Sequence, residues 1–134
     1  MIRKFRFLLP VLTTALALPG CMNPECENEV REELVSPDGT YKLVIFSRNC
    51  GATTGPNCQA SILPVGASLP DDGGNAFIFD REAKVAWLDS KTLSVSVGGS
   101  ARTFKREEAV QGIKLVYSEV TEARNSSGGQ GKGP

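Results

Sequence analysis

The stretch "SPDGT", Ser36 to Thr40, constrains this chain most, because it sets a turn and with it the register of the segments on both sides. Proline presets φ at the first turn position and glycine accepts the left-handed conformation at the third, a combination suited to a three-residue hairpin loop ending in a bulge. "CENEVREELV" before it and "TYKLVIF" after it then pair as antiparallel strands. With Ser36 opposite Thr40, opposed residue numbers sum to 76, so Val30 faces Phe46, Asn28 faces Arg48 and Cys26 faces Cys50. Counted from the turn, the cysteine pair falls at a hydrogen-bonded site with Cα atoms about 5.5 Å apart, which a disulfide spans. A slip of one residue would reverse that assignment and the facing of every side chain.

Beyond the hairpin, short runs of Val, Ile, Leu, Phe and Tyr alternate with Pro, Gly, Asp and Asn clusters, the pattern of strands. Segments 40–46, 59–65, 75–80, 84–88, 92–98 and 113–120 all fit it. Period two is clearest in "TLSVSVG", which turns Leu93, Val95 and Val97 toward a core. Segment 102–112 has room for one helical turn, and no long amphipathic helix is evident. The class is mainly β: one small antiparallel β-sheet or sandwich-like domain over residues 26–122. β-Propeller phrases such as "SPDGTYKLVIF" do not imply a propeller, because at least four blades of about 40 residues are needed.

The first twenty residues read as a secretory signal. Arg3, Lys4 and Arg6 form a positive start, Phe7 to Leu18 an almost uncharged stretch, and Gly20 a small residue before Cys21. The stretch falls short of the about 20 apolar residues of a comfortable membrane span. Its ending, "LPGC" (Leu18 to Cys21), resembles the lipobox of bacterial lipoproteins. That resemblance implies cleavage before Cys21, acylation of Cys21 and an acylated linker over residues 21–25. A second acyl chain matters because one chain holds a membrane only marginally. Met22 in place of Asp favours the outer membrane where the envelope is Gram-negative.

Without residues 1–20, 114 residues remain with 12 Lys and Arg against 15 Asp and Glu, a net charge near −3. Such a surface does not suit nucleic acid, and the length suits one domain. Residues 123–134, with no apolar residue from Asn125 onward, read as a disordered tail.

Cys50 has two candidate partners. A loop over residues 51–57 would bring it across from Cys58 as readily as the hairpin brings it to Cys26. In chain-entropy terms the longer loop contributes about 3.5 kcal/mol and the shorter about 2.6 kcal/mol, too close to decide. Here a wider likeness helps. Residues 26–64, with Cys26, "SPDG", Arg48, "CGATT" and "SIL", resemble a family of small bacterial lipoproteins, and "DGGNAFIFD" and "VAWLDSKTL" extend the likeness. The resemblance implies a Cys26–Cys50 disulfide, with Cys58 free or an alternative thiol. It carries no activity.

Chemistry is narrowed by what the chain lacks. There is no histidine, so Cys/His and Ser/His/Asp machinery is excluded. The Cys50–Cys58 spacing is not CxxC, and "GATTGPN" is followed by a strand rather than by the lysine and helix of a phosphate loop. That loop reads as one whose threonines bond its own backbone, with Gly51 and Gly55 at positive φ. Asp71, Asp72, Asn75 and Asp80 offer oxygens to calcium, though without EF-hand spacing. Trp87 between Val85 and Leu88 reads as core. The expectation is a membrane-anchored envelope lipoprotein, a non-enzymatic binding or structural module presenting Gly51, Thr53 and Thr54 to an envelope protein. The alternative is an envelope enzyme or accessory subunit with a histidine-independent site. No catalytic residue, no metal and no cofactor other than the lipid on Cys21 are expected.

Overall fold

The structure, a computed structural model, describes residues 25–121. The leader 1–20, Cys21 and the tail 123–134 lie outside the described residues. Nine strands follow in order: β1 (Glu27–Val35), β2 (Tyr41–Asn49), β3 (Cys58–Pro64), β4 (Phe77–Phe79), β5 (Ala83–Asp89), β6 (Thr92–Gly98), β7 (Thr103–Arg106), β8 (Ala109–Val110) and β9 (Ile113–Val120).

Side chains lengthen the first turn by one residue. The Ser36 carbonyl accepts the Gly39 amide, as the proline and glycine require, but the Ser36 amide donates to the Tyr41 carbonyl rather than to Thr40. The Ser36 hydroxyl accepts the Tyr41 amide and donates to the Asp38 carboxylate, which in turn accepts the Thr40 amide. These bonds, the one from Ser36 first, hold the Asp38 carboxyl below its ordinary pKa. The loop is therefore not the three-residue form, and from Val35–Lys42 to Glu32–Ile45 paired numbers sum to 77. A bulge at Arg31 then removes the offset, and Val30–Phe46, Asn28–Arg48 and Glu27–Asn49 sum to 76. The outer register agrees with the sequence reading, while the turn that was to set it does not.

Two sheets form, one in the order β1-β2-β3-β4-β7 and one in the order β5-β6-β9-β8. Between them Leu43, Ile62, Phe77 and Phe79 of the first meet Leu93, Val95 and Ile113 of the second. Each such side chain contributes about 1.5–3 kcal/mol by leaving water. Leu93, Val95 and Val97 all face this core, as their period of two requires. Trp87 packs against it and donates its indole N–H to the Leu34 carbonyl at 3.0 Å, tying the second sheet to β1.

Two features depart from a simple antiparallel reading. Residues 102–112 form β7 and β8 rather than a helical turn, because β7 pairs with β4 while Gln111 (φ 51°) and Gly112 (φ 77°) make a two-residue hairpin to β9. That excursion over residues 99–112 is long enough to reverse direction, so β9 lies parallel to β6 while the other described pairs are antiparallel.

The outer face of the first sheet is also covered. Four consecutive residues of β2, Leu43 to Phe46, are buried, so both faces of the strand are apolar. On the outside Val44, Phe46 and Leu63 are capped by Ala67 and Leu69. The covering segment is fastened to β3 by the Gly74 amide on the side-chain Oε1 of Gln59, the Asn75 amide on the Ser61 hydroxyl, and the Asn75 carboxamide on both the amide and carbonyl of Ile62. Gly74 sits so close that a Cβ there would meet Ala60 O at 2.7 Å and Phe77 O at 2.9 Å. Gly74→Ala is therefore expected to cost about 1–3 kcal/mol, the usual range for forced overpacking. Urea denaturation of the variant, with an unchanged midpoint, would refute the close packing.

Candidate functional site

The loop between β2 and β3 is held by its own polar groups. The Thr54 hydroxyl accepts the Cys50 amide at 2.9 Å, the Thr54 amide donates to Gly51 O, and Asn49 Oδ1 accepts the Gly51 amide. Asn57 acts as a substitute rung of the ladder: its Oδ1 accepts the Arg48 amide and its Nδ2 donates to the Arg48 carbonyl, both at 2.9 Å. Gly51 takes the left-handed conformation at φ 112°, whereas Gly55 is not among the positive-φ glycines. Asn57 Nδ2 holds the Gly55 carbonyl at 3.0 Å and so secures the end of the loop without a left-handed residue there. Gly51 and Thr53 are exposed and Thr54 is half-buried, its hydroxyl already committed.

The disulfide joins Cys26 to Cys50, with Cα atoms 4.1 Å apart. This is closer than the roughly 5.5 Å of a hydrogen-bonded pair and fits the close type of cross-strand site, because the bulge at Arg31 shifts the alternation by one step. The rival pairing is ruled out by facing. Extending the β2–β3 register sets Cys58 opposite Ser47, and Cys58, 2% exposed, packs in the core between the sheets. Cys50 instead lies on the outer side with Arg48 and Gln59. Burial, before any other influence, raises the Cys58 pKa above its ordinary value. A thiol so placed is a packing residue rather than a nucleophile.

Beside the stapled loop lies an open cleft of about 630 Å³. Arg48, Arg81 and Arg102 reach it from three separate parts of the chain, and Ile78 and Phe104 supply its apolar surface. Phe104 is the extra residue of a second bulge, where β7 skips one position against β4 between Ile78–Lys105 and Phe79–Thr103. It is left 61% exposed. Arg48 is anchored to Asn28 at 2.7 Å and to Asp71 at 2.8 Å, with a side chain only 17% exposed. Asp80 accepts the Arg102 amide at 2.8 Å and lies 4.0 Å from Arg81 Nε.

The four residues considered for calcium are dispersed into separate duties. Asp71 pairs with Arg48, Asp72 caps the Gly73 amide, Asn75 clamps Ile62 and Asp80 holds β7. Among the described residues no group of three or more His, Cys, Asp or Glu converges. Of the cleft residues, the sequence reading named Arg48 only as a pattern residue opposite Asn28, and it did not single out Arg81, Arg102 or Phe104. Nothing local marks them, since strand pairing and a bulge bring them together. Comparison with protein-family models, with curated proteins and with solved structures finds no match.

Reducing the disulfide, or replacing Cys26→Ser together with Cys50→Ser, is expected to lower stability by about 3.5 kcal/mol. Urea titration of the intact and reduced protein measures it, and equal midpoints would show that the staple is idle. A second expectation concerns alkali. Because folding raises the Cys58 pKa above 9.0 and that of Tyr117 from 10.0 to about 12, the fold favours both protonated forms. Their contribution is complete below pH 9.0 and is lost as pH rises through the raised values. Cys58→Ser should flatten the decline that begins above pH 9.0, leaving the Tyr117 component from pH 10.0. An unaltered pH–stability curve would refute the assignment.

Proposed function

We propose that this chain is an exported envelope lipoprotein, anchored through acylated Cys21, whose β domain is a non-enzymatic module that binds an envelope protein. We assign it to the family of small bacterial lipoproteins that residues 26–64 resemble. The observation that supports the reading is the Cys26–Cys50 disulfide, since structural disulfides persist in oxidising compartments. That pairing does not draw on Cys21, which the lipobox-like "LPGC" assigns to the anchor. Where the envelope is Gram-negative, Met22 favours the outer membrane. Cys58, on which a catalytic reading would lean, is buried and protonated and lends that reading no support.

The module presents a preorganised loop. Its backbone is bonded internally and stapled to β1, so Gly51 and Thr53 are held out at low entropic cost. Intact-mass spectrometry of membrane-extracted protein is expected to show a chain beginning at Cys21 with fatty acyl mass added, gaining two hydrogens on reduction. A photo-crosslinking residue in place of Thr53 should capture a discrete envelope protein in cells. Recovery from cytosol with the leader intact and Cys26, Cys50 and Cys58 all freely alkylated would refute the reading.

A further inference from the structure

The described domain carries 10 Lys and Arg against 14 Asp and Glu, yet three of its five arginines line one cleft. Of these, Arg48 is spent on Asn28 and Asp71. The Arg102 guanidinium has no ion pair among the described residues, and Arg81 stands half exposed near Asp80. The same cleft is lined by Phe104, a large apolar ring 61% exposed at the site of a bulge, a device that commonly re-aims a side chain near a functional site. Ile78 lies beside it. A volume of about 630 Å³ falls within the range of ligand sites.

We infer that this cleft binds the C-terminal segment of a partner polypeptide ending in a large apolar residue: its side chain rests on Phe104 and Ile78, and its carboxylate meets Arg102 and Arg81. The inference rests on the binding-module reading and supplies that module's ligand class. Three features select this ligand. Guanidinium groups suit the planar carboxylate. The Asp80 carboxylate within the same cleft disfavours a dianion such as phosphate and leaves room for one negative charge. The carboxamides that would read sugar hydroxyls are already used, Asn57 on Arg48 and Gly55 and Gln59 on Gly74 and Asn57.

The test titrates acetyl-Gly-Gly-Leu-Phe, as free acid and as C-terminal amide, into the full membrane-extracted protein in detergent. The side-chain Nε–H resonances of Arg81 and Arg102 are followed by NMR. The free acid should shift both resonances, and the amide should bind at least tenfold more weakly. Arg102→Gln and Phe104→Ala, both at exposed positions, should each weaken the free acid at least tenfold, with Lys84→Gln on the other sheet as an unchanged control. Equal binding of acid and amide overturns the inference, and so does displacement of the peptide by a uronic acid oligosaccharide. No binding of the peptide while the Thr53 crosslink persists in cells overturns the ligand class and leaves the module reading standing. Loss of both signals removes the two together.

Discussion

One extra residue in β1 decides whether the disulfide can form. Near the turn, paired numbers sum to 77, and that register carried outward would set Cys26 against Gly51, with the two cysteines out of reach. The bulge at Arg31 takes up the offset and returns Cys26 to Cys50. The displaced residue is then used. Arg31 leaves the ladder and forms an ion pair with Glu82 at the entrance to β5, so the device that aligns the staple also links the two sheets. Both partners are well exposed, so the pair orients the edge more than it stabilises it.

The same logic recurs at the opposite edge of the five-stranded sheet. A bulge at Phe104 lets β7 keep its pairing with β4 while an aromatic ring turns outward. Between the two bulges the sheet has no slack, because β2 is buried on both faces and its neighbours cannot slide without exposing one of them. Asparagines finish the ladders where strands give out. Asn57 extends β2–β3 by one rung and Asn75 does so beside β3. The loop before β3, which lines the cleft, and the segment after β3 are therefore each fixed by a side chain that imitates backbone, which explains how irregular segments hold still without regular structure.

Strand positions were legible because Pro and Gly clusters isolate the apolar runs, and β6 announced its inward face by period two. Pairing was legible only where it is local. The β6–β9 parallel contact follows from where an excursion of residues 99–112 deposits the chain, which no window of sequence records. β7 and β8 were misread because they carry few apolar residues and owe their form to the partners that claim them, and because Gln111, at φ 51°, is not one of the residue types that mark a two-residue hairpin turn. The hairpin register came out right at its outer end through two opposite offsets, a turn one residue longer than its Pro-Asp-Gly suggests and a bulge that cancels it. The cysteine pairing needed facing as well as distance. Cys58 points to the inner core and Cys50 outward, a distinction that loop-closure entropy does not contain.

The location of the staple also bears on what the cleft can meet. Cys50 lines the cleft and its Cα is 4.1 Å from that of Cys26. Four residues, 22–25, lie between Cys21 and Cys26, and the five Cα–Cα steps from one cysteine to the other reach at most about 18 Å. On the proposal that Cys21 carries the anchor, the stapled end of the cleft is tethered within that distance of the bilayer surface. A partner would then present its own segment close to the membrane, where the short linker raises the effective concentration of both. An anchor attached through a long flexible linker would give the cleft no such preference. The disulfide makes the tether meaningful by tying the point of attachment to the loop that forms the site, so that restraint on one is restraint on the other.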